Sequence, residues 1–216
     1  MNINFEERDE TKNSVAEFWS EYDGDFAGDI LAPEIIKLSK KYIGEFVLDV
    51  GAGSGALVSR IPNAIGIDLA PKGPKVIKGD ISKMPFENKK FDTVFATEVI
   101  EHLSNDILDN GLKEIARVLK PGGILIATIP YREDIKQNMV VCPKCGEKFH
   151  RVGHIQSFDE TKIKNILEKR GFKIIKIQAL PLGSMARHPF LKYSKWFFQR
   201  IGYFNPTNMF VVCRNG

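Results

Sequence analysis

Long hydrophobic runs, internal repeats and low-complexity segments are all missing from this sequence of 216 residues. No stretch approaches the ~18 consecutive apolar residues of a membrane span, so the sequence predicts no span. The absence of repeats leaves an ordinary globular chain as the expectation. The formal net charge of +4 is small for this length. Such a charge permits an anionic partner such as nucleic acid without requiring one.

Cysteine is also scarce, with three in the chain and two of them close together. This number does not suit a disulfide framework, and the close pair fits a metal site in a reducing cytosol, which predicts a cytoplasmic protein. The segment Met1–Glu7 is acidic and has no apolar core, so no signal peptide is expected. With 43% hydrophobic residues, the chain is expected to form one domain, residues 1–216, around a full core.

The stretch Phe46–Gly55 is the most informative part of the sequence. Its short apolar run predicts a central parallel strand, and glycine at every second position predicts a turn where the backbone can approach a ligand. The pattern that follows predicts a helix from about Ser54 to Ile61, ended by Pro62. The first N–H groups of that helix would face the ligand. The stretch therefore predicts a cofactor-binding turn.

Three acids at the ends of three successive predicted strands indicate which cofactor this is. The spacing D-x-G-x-G-x-G differs from the dinucleotide pattern G-x-G-x-x-G, and the charge of Asp49 suits an ammonium group better than a pyrophosphate. Asp68 follows about 20 residues later, the usual place for an acid that binds ribose hydroxyls. Asp80 is placed to accept from an adenine amino group. Together the acids describe S-adenosylmethionine, with a purely structural role as the alternative.

These motifs resemble those of the class I S-adenosylmethionine-dependent methyltransferases, in particular the type 11 and ubiquinone-biosynthesis-like group. The similarity runs from about Phe46 to Pro130. It implies a Rossmann-like α/β fold, with helices on both faces of a seven-stranded, mostly parallel sheet in the order 3-2-1-4-5-7-6. The resemblance further implies that the cofactor is bound by Asp49, Gly51, Gly53, Gly55, Asp68, Leu69, Asp80, Ile81 and Thr97.

The single domain is expected to have four parts. Residues 1–45 would form an N-terminal helical lid that includes Trp19, residues 46–130 the cofactor-binding core, and residues 139–156 a candidate zinc-binding insert. Residues 183–202, a candidate substrate-side helix, mix basic with aromatic side chains. That mixture is found in nucleic-acid and membrane-surface contacts, and more often in a helix that packs its aromatic side on a sheet.

The remaining pattern predicts further helices and strands. The helices are 5–23, Leu31–Tyr42, Asn105–Leu119 and Glu160–Lys169, and the strands are 64–68, 75–78, 91–97, 123–130, 172–180 and an antiparallel 208–214. Between Ala70 and Pro74 the two prolines and the glycine leave no room for the usual crossover helix, so a loop is expected there.

The motif E-x-x-E-H at Glu98–His102 brings two carboxylates and an imidazole into one turn after the fourth strand. Glu98 and His102 are therefore the candidate catalytic residues. The cluster could also bind a divalent cation, because it resembles the metal-binding pattern of ubiquinone-pathway O-methyltransferases and of enzymes that methylate the terminal ribose of small RNAs. In the second group a downstream histidine takes part, for which His154 is the candidate. Similar stretches also serve helix capping and substrate contact without a metal.

The motif C-P-x-C-G, beginning at Cys142, is typical of a turn that binds zinc through two thiolates. His150 and His154 follow at spacings that would complete a Cys2His2 site with Cys142 and Cys145. A redox pair and two independent thiols are the alternatives. The segment from Gly153 to Phe158 resembles a stretch that faces the active site in the family, so His154 could instead belong to the reaction.

The sequence therefore predicts an S-adenosylmethionine-dependent methyltransferase with an additional zinc ion. The expected acceptor is an oxygen or a nitrogen, on a small molecule rather than on nucleic acid. One alternative is an RNA-directed, metal-dependent methyltransferase. The other is a non-catalytic module that binds the cofactor and docks a protein partner through its zinc site. The sequence makes no prediction of the oligomeric state.

Overall fold

The computed structural model describes residues 19–21, 27–187 and 205–216. Most of the predicted helix 5–23 and most of the segment 183–202 lie outside the described residues. Within the described ranges, no helix combines the length and the apolarity that crossing a bilayer requires.

Seven of the nine strands in these described ranges form one sheet, in the order β3-β2-β1-β4-β5-β9-β8. The strands are β1 (Val47–Val50), β2 (Ala64–Asp68), β3 (Val76–Lys78), β4 (Phe91–Thr97), β5 (Leu119–Pro130), β6 (Met139–Val141), β7 (Lys148–His150), β8 (Phe172–Leu180) and β9 (Asn208–Asn215). The first five strands run parallel, and β9 lies antiparallel between β5 and β8. The predicted fold class and strand order are thus confirmed, since β8 and β9 are the predicted sixth and seventh strands. The additional pair β6 and β7 forms a separate hairpin.

Helices cover both faces of the sheet because the strand residues alternate between two apolar layers. The helices are α1 (Ala27–Ser39), α2 (Asn105–Val118), α3 (Glu160–Lys169) and α4 (Leu182–Arg187). One buried cluster joins Leu48 and Val94 of the sheet to residues of α2 and α3. The other joins Val47 and Phe95 to residues of α1 and α4. Neighbouring residues of each central strand therefore enter opposite layers, as a sheet buried on both faces requires.

One predicted helix does not form, and another has different bounds. The predicted helix from Ser54 to Ile61 is wrong, since this segment forms turns and a short 3-10 helix at Val58–Arg60. The physical reason is the backbone at Gly53 and Gly55, which both have positive φ and so cannot continue into an α-helix. The helix predicted over Leu31–Tyr42 begins earlier, at Ala27, and its last turn is the 3-10 helix Lys40–Tyr42.

The loop after β2 contains no helix, as predicted, and it packs directly against the glycine turn. The N–H of Lys72 donates to the carbonyl of Gly53 at 3.0 Å. At Gly73 the approach is closest, because a Cβ there would lie 2.1 Å from the carbonyl oxygen of Ser54. The absence of a side chain at Gly73 therefore lets the loop and the turn touch.

Replacing Gly73 with alanine is expected to lower the free energy of unfolding by about 1–3 kcal/mol, because the new methyl group would overlap backbone atoms. Denaturant unfolding measures this loss. A matched control is Gly183→Ala in α4, where a Cβ would meet no atom within 4 Å. That variant should be neutral or slightly more stable, since alanine is the better helix former. Equal stability of the two variants would contradict the close approach.

Candidate active site

A cavity of about 200 Å³ lies at the edge of the sheet where β1 and β4 end. This edge is where ligands bind in open α/β sheets. The predicted site residues that line the cavity are Asp49, Gly51, Gly53, Thr97, Glu98, His102 and His154. The predicted residues outside its lining are Gly55, Asp68, Leu69, Asp80, Ile81, Cys142, Cys145 and His150.

The Asp49 carboxyl group is the most buried acid beside the glycine turn. Its residue is 3% exposed, and its Oδ1 atom has no hydrogen-bond partner in the protein. Burial, together with the nearby charge of Asp68, raises the pKa of Asp49 to about 8. A buried, unpartnered carboxyl oxygen is costly, and a cationic group in the cavity would relieve that cost by pairing with it.

Asp68 fixes the shape of the glycine turn. Its Oδ2 atom accepts from the N–H of Gly53 at 2.8 Å, and its Oδ1 atom accepts from the N–H of Ala70 at 2.8 Å. The carbonyl of Ile67 also accepts from the N–H of Gly51 at 2.8 Å. A carboxylate has about four lone-pair positions, so these bonds leave acceptor capacity for ribose hydroxyls.

Asp80 and Ile81 lie farther along the same edge, after β3. The Oδ1 atom of Asp80 accepts from both the N–H and the hydroxyl of Ser82, each at 2.8 Å. Ile81 packs against α2, because a Cβ at Gly111 would lie 3.1 Å from its Cγ1 atom. Both residues are half-buried, so this end of the site is more open than the cavity at Asp49.

Glu98 is held at the cavity by a residue that the sequence did not indicate. The side-chain amide of Asn208 donates to the Glu98 carboxylate, with Nδ2 at 3.0 Å from each oxygen. Because β9 runs antiparallel, its first residue lies at the edge where β4 ends. Glu98 itself has φ of 53°, a conformation that is costly for a residue with a side chain and that clusters at functional sites. Burial raises the pKa of its carboxyl group.

The turn that follows carries Glu101 and His102, and the segment 153–156 is bound to it. The carbonyl of Glu101 accepts from the N–H of Ile155 at 2.9 Å. His102 places Nδ1 at 3.0 Å from the carbonyl oxygen of Gly153. A carbonyl only accepts, so Nδ1 carries the proton and Nε2 keeps a lone pair. Burial and the charge of His154 lower the pKa of His102 to about 3, so its imidazole is neutral at physiological pH.

The side chain of Glu101 is 0% exposed and neither of its carboxyl oxygens has a hydrogen-bond partner. Burial, followed by the charge of Glu98, raises the pKa of Glu101 well above its usual value. The nearest cationic candidate is His154, whose Nε2 atom lies 3.9 Å from Oε1 of Glu101. Glu101 is therefore a second buried acid that lacks a partner.

His154 is oriented by Glu133, which the sequence analysis missed. The Nδ1 atom of His154 contacts Oε2 of Glu133, and Asn138 donates to Oε1 at 3.0 Å. Burial acts to raise the pKa of Glu133, but the hydrogen bond and charge of His154 outweigh it and lower the pKa. Because an ionised Glu133 accepts from Nδ1 of His154, the neutral form of this imidazole has its lone pair on Nε2, toward the cavity. The available signal was the position of Glu133 just beyond β5, whose end lies at the same edge of the sheet.

His150 belongs to the same group of side chains. Its ring stacks on that of His154, with centroids 4.7 Å apart, and its Nδ1 atom accepts from the N–H of His154 at 3.1 Å. Its Nε2 atom lies 3.4 Å from Oε1 of Glu133. On the cavity side, the ring of Trp19 stands perpendicular to that of His102 at 5.0 Å, and Trp19 also lines the cavity.

The structure does not bring together the four predicted zinc ligands. In the described ranges, two groups of three metal-ligating side chains have their atoms within 4.8 Å of one another. One is Glu101, His102 and His154, and the other is Glu133, His150 and His154. Neither includes a cysteine. Zinc binding by Cys142 and Cys145 stays a prediction. The other two predicted ligands, His150 and His154, lie together with Glu133 instead.

The comparisons with known proteins agree with this fold. Residues 48–127 match the family described as a methyltransferase domain. The protein MJ1252 of Methanocaldococcus jannaschii is 32% identical over 157 residues, which cover 68% of this chain and 56% of that protein. The demethylmenaquinone methyltransferase of Tropheryma whipplei is 35% identical over 99 residues, which cover 38% of this chain and 41% of that enzyme. The chain thus spans about half of the length of these relatives.

Among solved structures, an S-adenosylmethionine-dependent methyltransferase from Mesorhizobium loti superposes with a TM-score of 0.60 at 14% identity. The superposition covers 84% of this chain and 96% of that one. At this identity the likeness concerns the fold alone. Residues 48–127 therefore match a methyltransferase domain, and the chain has the fold of such domains.

Proposed function

We propose that the protein transfers a methyl group from S-adenosylmethionine to an oxygen or a nitrogen of a small molecule. The observation that carries this proposal is the buried carboxyl group of Asp49, whose Oδ1 atom lacks a partner beside a backbone turn open to a ligand. An amino-acid ammonium group supplies the positive charge and the donors that this carboxylate requires. A diphosphate would instead place negative charge against it.

Each cofactor-binding residue has a proposed role. Asp49 binds the ammonium group, and Gly51, Gly53 and Gly55 let the methionyl part lie against the main chain. Asp68 and Leu69 contact the ribose, while Asp80 and Ile81 border the adenine. Thr97 closes the cavity beneath the methyl group. A volume of about 200 Å³ is below the roughly 300–1,000 Å³ of whole-ligand pockets, so the cavity suits the methionyl end, with the nucleoside in the more open part.

S-adenosylmethionine supplies a methyl group that is already activated by its sulfonium. The protein therefore has to align the acceptor, exclude water and remove a proton where the acceptor carries one. We propose that Nε2 of His154 accepts the proton that the acceptor loses, because Glu133 holds that imidazole with its lone pair toward the cavity. His102 is a poor base since its pKa is lowered to about 3, and we propose that it contacts the acceptor. Glu98, held by Asn208, would accept a hydrogen bond from the acceptor.

A small acceptor is supported by one of the relatives, which is named for demethylmenaquinone. The three cysteines are free, which supports a reducing compartment and hence the cytoplasm.

Isothermal titration calorimetry of the full chain tests the cofactor. S-adenosylhomocysteine and S-adenosylmethionine are expected to bind, whereas NAD should give no heat of binding. A radiolabelled methyl group then reports transfer to small phenols, catechols and amines. Binding of NAD without binding of S-adenosylhomocysteine would overturn the proposal.

A metal-dependent methyltransferase is the second candidate, because Glu101, His102 and His154 could bind one divalent cation. Both histidines are oriented with Nε2 free, by Gly153 and Glu133 respectively, and the buried Glu101 carboxyl group has no other partner. Carboxylate and imidazole ligands suit Mn²⁺, Fe²⁺ or Zn²⁺. Such an ion would lower the pKa of a bound acceptor hydroxyl. The RNA-directed alternative belongs to this candidate.

The two candidates use Nε2 of His154 differently, so they can be separated. If the metal is required, EDTA should abolish methyl transfer, Mn²⁺ should restore it, and Glu101→Gln should weaken Mn²⁺ binding in electron paramagnetic resonance titrations. Full activity after EDTA treatment would exclude the metal. If RNA is the acceptor, the affinity of the protein for RNA should fall steeply as the salt concentration is raised.

A further inference from the structure

We propose that Cys142 and Cys145 bind a zinc ion jointly with the same two cysteines of a second copy of this chain. The resulting site would contain four thiolates and would close a symmetric dimer. This inference goes beyond methyl transfer and does not rest on it.

The turn between β6 and β7 has the local geometry of a metal-binding turn. The N–H of Cys142 donates to the carbonyl of Glu147 at 2.7 Å, and the N–H of Gly146 donates to the carbonyl of Cys142 at 2.8 Å. These two bonds close a tight turn that carries both cysteines, and two cysteines in such a turn can bind one zinc ion as thiolates.

Gly146 supports the same interpretation. Its φ is 75°, and a Cβ at this position would meet no atom within 4 Å. Steric crowding therefore does not explain the glycine, and the backbone conformation does. That conformation closes the turn that carries both cysteines.

Two thiolates do not complete a structural zinc site, which takes four protein ligands. Cys213 cannot contribute, because it is 0% exposed within β9, paired with Leu125 and Ile174. His102 is bound to Gly153, and neither group of metal-ligating side chains in the described ranges includes a cysteine.

His150 pairs with Met139 at the end of the hairpin that lies away from the cysteine turn, and the ring of His154 stacks on that of His150. The fourth histidine, His188, lies outside the described residues. The ligands that the turn needs are therefore not supplied by the described part of its own chain.

A second copy of this chain supplies the two missing ligands, and no other protein is needed. Two ligands per chain, related by a twofold axis, give four, and a twofold interface closes without forming a filament. The turn is accessible for such a contact, since Cys145 is exposed and the neighbouring Val141 is 56% exposed. Four thiolates around Zn²⁺ leave a net negative charge, which the exposed Lys144 of each copy would offset.

Zinc content and molar mass, measured on the reduced full chain, test the proposal together. Mass spectrometry of the metal should find one zinc for two chains, and light scattering should find a dimer. Cys142→Ser combined with Cys145→Ser should lose the zinc and become monomeric. Lys148→Ala, at an exposed position of β7 in the same hairpin, should keep both. When Co²⁺ replaces Zn²⁺, the thiolate-to-cobalt charge-transfer band should have the intensity that four thiolates per ion produce.

Failure of the hairpin to fold is controlled in two ways. The double variant should still bind S-adenosylhomocysteine, and chelation should dissociate the unaltered protein. One zinc per monomer, whether completed by His188 or by another side chain, would overturn the proposal. A folded, reduced protein without zinc, or a dimer that persists in the double variant, would do so equally. If the unaltered protein does not bind S-adenosylhomocysteine, the result counts against the methyltransferase proposal and not against the zinc site.

Discussion

Replacing Asp49 with asparagine is expected to weaken the binding of S-adenosylhomocysteine by about 10- to 100-fold. The substitution keeps the shape of the side chain and removes its charge, and a hydrogen bond to a charged group contributes about 1.5–3 kcal/mol. Calorimetry measures the loss. A suitable control is Asp80→Asn, because Asp80 lies at the more open end of the site and should have a smaller effect. An unchanged affinity in the Asp49 variant would contradict an ammonium group beside this carboxylate.

The same residue predicts a pH dependence of binding. Without ligand, burial raises the pKa of Asp49 to about 8, so below that pH the carboxyl group must lose a proton before it can pair with an ammonium. Affinity should therefore rise by up to about tenfold per pH unit as the pH approaches 8. Titrations in two buffers with different ionisation enthalpies should report one proton released on binding, and none with Asp49→Asn.

The stability of the ligand-free protein should show the opposite trend. An acid whose pKa is raised on folding stabilises the protein below its unfolded pKa of 3.8, and this contribution is lost as the pH rises through about 8. Replacing Asp49 with asparagine removes the penalty at high pH. The variant is expected to bind ligand poorly and yet to unfold at the same or a higher temperature at pH 8.

Replacing His154 with glutamine is expected to lower kcat by about 100-fold or more, the usual contribution of a general base. Glu133→Gln should lower kcat by less, because it removes only the group that orients the imidazole. S-adenosylhomocysteine binding should change little in either variant, since Asp49 and the glycine turn lie on another wall of the cavity. The exposed Lys148→Ala variant is the control. A kcat within threefold of the unaltered protein for His154→Gln would show that neither a base nor a metal ligand is needed there.

Much of the fold was predictable because its signals are local. The apolar runs at Val47–Val50 and Phe91–Thr97 predict strands buried on both faces, and each is followed by the residues that line the cavity. Asp49 could be found in the same way, since a charged residue at the end of a buried strand is unusual enough to indicate a ligand.

The parts that were missed depend on contacts between distant segments. The bonds between Glu98 and Asn208, and between Glu133 and His154, join residues that no periodicity relates. The helix predicted after Ser54 failed for a different reason. The glycines there satisfy the pattern of a loop before a helix, but their positive φ values and the bond from Gly53 to Asp68 commit the segment to turns.

The cysteine pair shows what sequence spacing alone does not determine. His150 and His154 have a suitable distance in sequence from Cys142, yet the hairpin directs the histidines toward Glu133, while the cysteines occupy its opposite end. The cysteines and the histidines, which the sequence assigned to one zinc site, are thus separated by the length of β7.

The placement of β9 bears on the order in which the protein can become active during synthesis. This strand is made after the other eight described strands, yet it inserts between β5 and β8 and delivers Asn208 to Glu98. Until residues 208–215 emerge from the ribosome, β8 lacks its neighbour in the sheet and Glu98 lacks the amide that holds it. The nascent chain can therefore assemble its glycine turn early, but the candidate active site is completed only by this late strand.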